Sequence, residues 1–309
     1  MRFQRTLKKS VEIKGTGLHS GREVTLRLHP APENHGIVFH RSDLGSVYIP
    51  AHVRFVSSEK STLSTVLYDG QATVQTIEHL LSALNGLYLD NVIAEIDGAE
   101  LPILDGSAKN VLASIHEAGI VEQKKPQKYY RVNRSQEFVS GTKYLKAEPS
   151  DRFEVDYEID FGPGLVQKFV FVLGEESYGS EISKAKTFCF ESDIQKMRSM
   201  GLAKGGSLSN ALVMGKNALI NPEQQTYPDE FVRHKILDFL GDVRLLDRPV
   251  VGRFTVRLGG HAFHTECLRA LWESGNLQLA PERGGKTFFT QSTSPVGETR
   301  QESLIPLVP

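Results

Sequence analysis

Cysteine is nearly absent from this 309-residue chain: Cys189 and Cys267 are the only two, too few for a disulfide framework and in keeping with a reducing compartment. Long apolar runs are missing as well. No stretch reaches the roughly 18 apolar residues that a membrane-spanning helix needs. The basic start, MRFQRTLKKSVEIKG, has no apolar segment behind it that would make it a secretion signal. Net charge is small too, since 36 Lys and Arg against 37 Asp and Glu leave −1, so there is no electrostatic footprint for nucleic acid or an anionic membrane. What remains, 39% hydrophobic and 24% charged residues, describes a soluble globular protein of about two domains of roughly 150 residues each. A cytoplasmic enzyme or binding protein is expected, with a small-molecule partner, no nucleic acid and no integral membrane segment.

The densest chemistry lies in Phe231–Asp247, FVRHKILDFLGDVRLLD. Val232, Ile236, Phe239, Leu240 and Val243 recur at helical spacing. His234, Asp238 and Asp242 recur every four residues and stack on a second stripe of the same helix. Pro228-Asp229-Glu230 supplies its start. A His and an Asp one turn apart can grip one divalent ion from a rigid element. A solvated polar face is the plain alternative, weakened by Lys235 crowding the same side. Thr73–Gly86 reads as a second helix, capped by Thr73, buried through Val74, Ile77, Leu81 and Leu84, and ended by Gly86. His79 points away from that buried face, with Glu78 rotated about 100° from it. His79, His234 and Asp238 make three protein ligands, which leaves a position open for water or substrate in a catalytic zinc site. Two histidines and a carboxylate suit iron(II) as well. Such an ion lowers the pKa of its water to about 7, and Glu78, beside a ligand, is placed to take the proton as general base.

Residues 1–70 read as short strands and turns. Gly15–Gly21, GTGLHSG, is a hairpin turn rather than a dinucleotide loop, because a strand and not a helix follows it. His19 within it is expected at the surface. The polar, proline-broken VEQKKPQK, residues 121–128, is the expected domain boundary. Further strands follow, then a short helix around Glu191–Ser199, the helix described above, a strand at Pro249–Leu258, a Gly259-Gly260-His261 turn and a helix through Phe263–Trp272. The halves share an order: strands, a helix with a polar stripe, a strand, a glycine loop, a closing helix. The expected fold is α+β: two similar domains, 1–124 and 125–275, each a β-sheet packed with helices, forming a two-domain sandwich with the active site between them. The tail, 276–309, poor in apolar residues, is expected to be extended or disordered.

TIEHLLSALNGLYLDN, LPILDGSA, KTFCF, GLAKGGSL, RHKILDFLGD and GGHA occur in this order. Through them, from about Gly15 to about residue 275, the chain resembles the UDP-3-O-acyl-N-acetylglucosamine deacetylase family, metal-dependent amidases of lipid A synthesis in Gram-negative bacteria. The resemblance implies two α+β domains packed face to face over the metal site. It implies His79, His234 and Asp238 as zinc ligands, Glu78 as general base, His261 as general acid and charge stabiliser, and Asp242 as the carboxylate orienting that histidine. Lys235 matches a substrate-contacting cation and Thr187 a hydroxyl donor to the oxyanion. Phe188 lines the site, and Lys143 and Phe161 match the nucleotide side. Ile194, Gly206, Ser207, Ala211 and Val213 fall where the family has its hydrophobic passage for the 3-O-acyl chain.

The implied reaction is hydrolysis of the N-acetyl group of UDP-3-O-(3-hydroxyacyl)-N-acetylglucosamine to acetate and UDP-3-O-acyl-glucosamine. The implied enzyme is a cytoplasmic monomer with Zn2+, or alternatively Fe2+. Two positions depart from the expected pattern: Cys189 stands where a small residue is expected, and His264 is an extra histidine close after His261. The rival readings are a different zinc amidohydrolase and a catalytically silent nucleotide-sugar-binding protein.

Overall fold

The computed structural model describes residues 2–280 except Ser46, Thr62 and Pro163; the expected tail beyond Ala280 lies outside the described residues. Strands form where apolar and polar side chains alternate. In EVTLRLHP, for example, Val24, Leu26 and Leu28 are buried while Glu23, Thr25 and Arg27 turn to the other face.

The first half contains β1 (Phe3–Leu7), β2 (Val11–Thr16), β3 (Glu23–Pro30), β4 (Ile37–Arg41), β5 (Val47–Pro50), β6 (Val66–Tyr68), β7 (Thr73–Gln75), α1 (Glu78–Gly86), β8 (Val92–Ile96), α2 (Lys109–Ala118) and β9 (Ile120–Pro126). The second begins with β10 (Tyr129–Val132), β11 (Gln136–Ser140), β12 (Lys143–Glu148), β13 (Phe153–Asp160), β14 (Val166–Val172) and the single turn α3 (Glu175–Ser177). It continues through β15 (Phe188–Phe190), α4 (Glu191–Ser199), β16 (Leu212–Met214), α5 (Glu230–Val243), β17 (Val250–Arg257), α6 (His261–Glu273) and β18 (Leu277–Ala280).

Both halves are α+β and follow one topology. The first sheet runs β2-β3-β8-β4-β5, antiparallel except at β8/β4. In the second, β11-β12-β17-β13-β14 repeats the order, with the parallel pair at β17/β13. A β1/β9 ribbon in the first half has its counterpart in β10/β18, which also joins the second sheet through a short β10/β17 pairing. Parallel neighbours need a crossover; α1 and α5 lie in those crossovers, and α2 and α6 follow β8 and β17.

Three expectations change. The helix foreseen over Thr73–Gly86 begins only at Glu78, because Thr73–Gln75 pairs with β6 and Thr76 turns the chain at φ 59°. VEQKKPQK, the expected boundary, is mostly strand: residues 120–126 form β9 against β1, their polar side chains standing on an exposed ribbon. The boundary expected at 124/125 therefore falls inside β9, and we propose the two repeats, 2–126 and 127–280, as the domains. Residues 277–280, assigned to the tail, are β18, the corresponding ribbon strand of the second repeat.

Candidate metal centre

Every residue of α1 is buried, and α5 is buried along its length apart from Arg233 and Lys235. Leu80, Leu81 and Leu84 of α1 and Ile236, Leu237 and Leu240 of α5 belong to one apolar cluster. The polar stripes thus lie in the interior where the helices meet, which removes the solvated-face reading. The approach is closest at Gly241, where a Cβ would stand 2.2 Å from the Glu78 carbonyl oxygen. Nearby, Asn85 Nδ2 donates to the Leu240 carbonyl at 2.9 Å.

This contact carries His79, in the first turn of α1, to His234 and Asp238 on α5. One donor atom from each lies within 4.8 Å of the others. Asp238 Oδ1 is 3.3 Å from His234 Nε2 and 3.9 Å from His79 Nε2. It is buried with no hydrogen-bond partner among the described residues, a costly state for a carboxylate oxygen unless something cationic sits there. His234 Nδ1 is held by the Ala185 carbonyl at 3.0 Å, which assigns its proton to that side and turns Nε2 toward Asp238. Burial, reinforced by His234, lowers the His79 imidazole to about 3; burial lowers His234 as well. Burial alone would raise Asp238, but His234, Lys235, His261 and His79 hold it well below the usual carboxylate range. Two neutral imidazoles and one carboxylate with a bare oxygen form a donor set that fits a divalent ion.

Glu78 immediately precedes His79 and borders the same cluster. Its Oε2 accepts from the Thr65 amide at 3.0 Å, leaving Oε1 3.8 Å from His261 Nε2. Burial raises this carboxyl to about 7, against the pull of His261. His261 opens α6 and sits with Nδ1 3.0 Å from Asp242 Oδ2, while Thr65 Oγ1 donates to Asp242 Oδ1 at 2.6 Å. Burial would lower the imidazole; Asp242, Glu78 and Asp238 outweigh it and raise it to about 9. A carboxyl raised to about 7 and an imidazole raised to about 9 therefore stand beside the metal-type cluster, the arrangement acid–base catalysis needs.

Comparison with known proteins agrees with this constellation. The family model of the UDP-3-O-acyl N-acetylglycosamine deacetylases (LpxC) matches residues 4–273. The UDP-3-O-acyl-N-acetylglucosamine deacetylase of Anaeromyxobacter dehalogenans is 46% identical over 263 residues, 84% of each chain. That of Myxococcus xanthus is 44% identical over 91% of this chain and 90% of its own. That of Acidithiobacillus ferrooxidans is 42% identical over 87% and 89%. The chain belongs to this family.

The remaining expected residues of the deacetylase fall into three places. Lys235 donates to Asp238 Oδ2 at 2.7 Å, and its ammonium lies 5.8 Å from the Phe188 ring. Phe188 packs on Phe231 and Phe161 at 4.5 and 5.6 Å between ring centres and lies 6.1 Å from His234. Thr187, Phe188, Ile194, Gly206, Ser207, Ala211 and Val213 line one cavity of about 260 Å³. Lys143 is apart from these, exposed at the start of β12. The β12/β17 register nevertheless puts it at the end of the sheet where the chain leaves Arg257 for His261.

His19 was expected at the surface and is only 7% exposed. Its hairpin loop is held down by the 204–205 backbone, with Gly205 N donating to Leu18 O at 3.0 Å. Both His19 ring nitrogens lack partners among the described residues, and the ring lines the same cavity. Cys189 lines it too, its thiol pushed up by burial and so a weak nucleophile. Thr65 and the Ala185 carbonyl carried no sequence signal: each lies in an irregular segment with no periodicity, and only the fold brings Thr65 to Glu78 and Asp242 and Ala185 to His234.

Proposed function

We propose that this site hydrolyses the N-acetyl group of UDP-3-O-(3-hydroxyacyl)-N-acetylglucosamine, giving acetate and UDP-3-O-acyl-glucosamine, as a step of lipid A biosynthesis. The observation that carries the reading is the bare Asp238 Oδ1 between two neutral histidines, with Glu78 and His261 immediately beside it. His79, His234 and Asp238 would hold Zn2+, with Fe2+ as the alternative. When bound, the ion supplies a Lewis acid that polarises the amide carbonyl and acidifies water.

The chain's own groups do the rest. Glu78, held by the Thr65 amide through one oxygen, uses the other to take a proton from the attacking water. Thr187 donates its hydroxyl to the carbonyl oxygen as negative charge grows there, and the His261 cation stabilises the same charge. The leaving amine takes its proton from His261 or from the newly protonated Glu78. Lys235 neutralises Asp238 and contacts substrate. Ile194, Gly206, Ser207, Ala211 and Val213 take the 3-O-acyl chain, an apolar cavity being the surface that gains most from covering a hydrocarbon. Phe161, 42% exposed against Phe188 and Phe190, offers a face to the nucleotide, with Lys143 for its phosphates.

No helix among the described residues is long and apolar enough to cross a membrane, and a cytoplasmic monomer is part of the proposal. Metal analysis paired with acetate release tests the whole reading. One divalent ion per chain and turnover of the acylated UDP-sugar far above that of simple N-acetyl sugars are expected. Equal turnover of both would point to another amidohydrolase, and metal-independent or absent turnover would overturn the enzyme reading.

A further inference from the structure

Asp242 has more partners than His261 and Thr65. His264, one turn further along α6, brings Nδ1 to 2.9 Å from Asp242 Oδ2, the oxygen that also serves His261. Its Nε2 lies 2.9 Å from the Tyr157 hydroxyl on β13. Tyr157, His264 and Asp242 are all fully buried. The His264 ring is clamped by Phe239, 5.1 Å away at 74°. Gly259 leaves the space: a Cβ there would stand 2.4 Å from His264 Nε2 and 2.7 Å from the Tyr157 hydroxyl.

Hydrogen-bond logic gives the chain of groups a direction. A carboxylate only accepts, so His264 must present Nδ1–H to Asp242, and His261 must do the same. A neutral His264 then has a bare Nε2, which the Tyr157 hydroxyl fills as donor. Burial lowers His264 and raises Tyr157, which keeps both in these forms. Asp242, His261 and His264 could be read as a second metal cluster. Each nitrogen aimed at Asp242, however, already carries the proton that its short hydrogen bond needs. His261, faced by Glu78 from α1, Asp238 and Asp242 from α5 and Thr65, keeps Nε2 for the reacting groups.

We propose that Tyr157 and His264 are positioning residues of the deacetylase: they lock the Asp242 carboxylate in the orientation that holds His261 in its Nδ1–H form toward the substrate. The inference rests on the role given to His261 above. Partners at one remove from reacting groups typically contribute about 10–100-fold. His264→Leu should lower kcat on the order of tenfold, with KM and metal content unchanged. His264→Asn places an amide N–H where Nδ1 stood and should restore kcat to within about threefold of the parent, since the donor to Asp242 survives. Tyr157→Phe removes one hydroxyl and should lower kcat about threefold without moving KM, which keeps the idea testable if His264→Leu does not fold.

His261→Ala is the control in the same assay. If it too keeps parental kcat, the role of His261 fails. If it is impaired while His264→Leu or Tyr157→Phe is not, only the positioning inference falls. His264→Asn falling as far as His264→Leu, or KM and metal content moving with kcat, would mean that the network merely supports the fold, and would also overturn it.

Discussion

The two repeats share strand order, strand direction and crossover helices, yet they contribute to the site unequally. α1 offers chemistry only from its first turn, Glu78 and His79, whereas α5 offers His234, Asp238 and Asp242 along three turns. The connections ahead of the two helices differ as well. Residues 51–77 of the first repeat form a small hairpin and bring Thr65 to Glu78 and Asp242. Residues 173–229 of the second are the longer insertion and wall most of the apolar cavity. The repeated helices carry the metal-type cluster and the acid–base pair, while the unrepeated connections add Thr65 and the cavity wall. Neither repeat alone holds all three donors of the metal-type cluster.

Removing one ligand from each side tests that division most severely. Asp238→Ala and His79→Ala should each reduce bound metal after gel filtration to near zero and take acetate release to the assay floor. A full equivalent of metal in either variant would mean that the ion does not bridge the repeats. Glu78→Ala should separate from its neighbour His79→Ala: kcat falls roughly 10²–10⁴-fold while metal content stays at that of the parent. Near-normal kcat with intact metal would remove Glu78 from the mechanism.

Gly241→Ala tests the helix contact itself. With a Cβ 2.2 Å from the Glu78 carbonyl, one helix must move, and overpacking of this kind costs about 1–3 kcal/mol. A lower denaturant midpoint and lower activity are expected together, and an unchanged midpoint would mean the backbones are not in contact. The pH profile distinguishes the two sides of the site. Activity should rise through about 7 as Glu78 loses its proton and becomes a base. It should fall through about 9 as His261 loses the proton it donates. A bound dication favours the carboxylate and disfavours the imidazolium, so it moves the acid limb below 7 and the alkaline limb below 9. His261→Gln should keep the acid limb and lose the alkaline one. Smallest is the cavity effect: Ala211→Phe should raise KM about tenfold for the long-acyl substrate and leave a truncated one unaffected.

Much of the frame was legible because it is periodic. The strand EVTLRLHP, the helix around Glu191–Ser199 and the long helix near His234 have the alternation or spacing that their elements require. VEQKKPQK and Leu277–Ala280 were not recognised as strands for one reason: ribbon strands are short and half-exposed, so composition hides them until their partners β1 and β10 are seen. Thr73–Gln75 was absorbed into a helix because Val74 and Ile77 fit helical spacing, and the turn at Thr76 leaves no mark in residue types. His19 looked exposed because its glycine-rich loop resembles any hairpin turn, and burial there depends on residues nearly 190 positions later.

The sequence by itself determined which residues can bind a metal and move protons, the spacing that stacks three of them on one helix, and the family to which those motifs point. Tertiary structure alone decided that the two polar stripes meet in the interior rather than in water. It also decided that Thr65 and His264 meet Asp242, with Tyr157 behind His264. The physical reason is that spacing along a chain determines only which side chains share a face; what that face meets is settled by long-range packing, here at the contact of Gly241 with the backbone of Glu78.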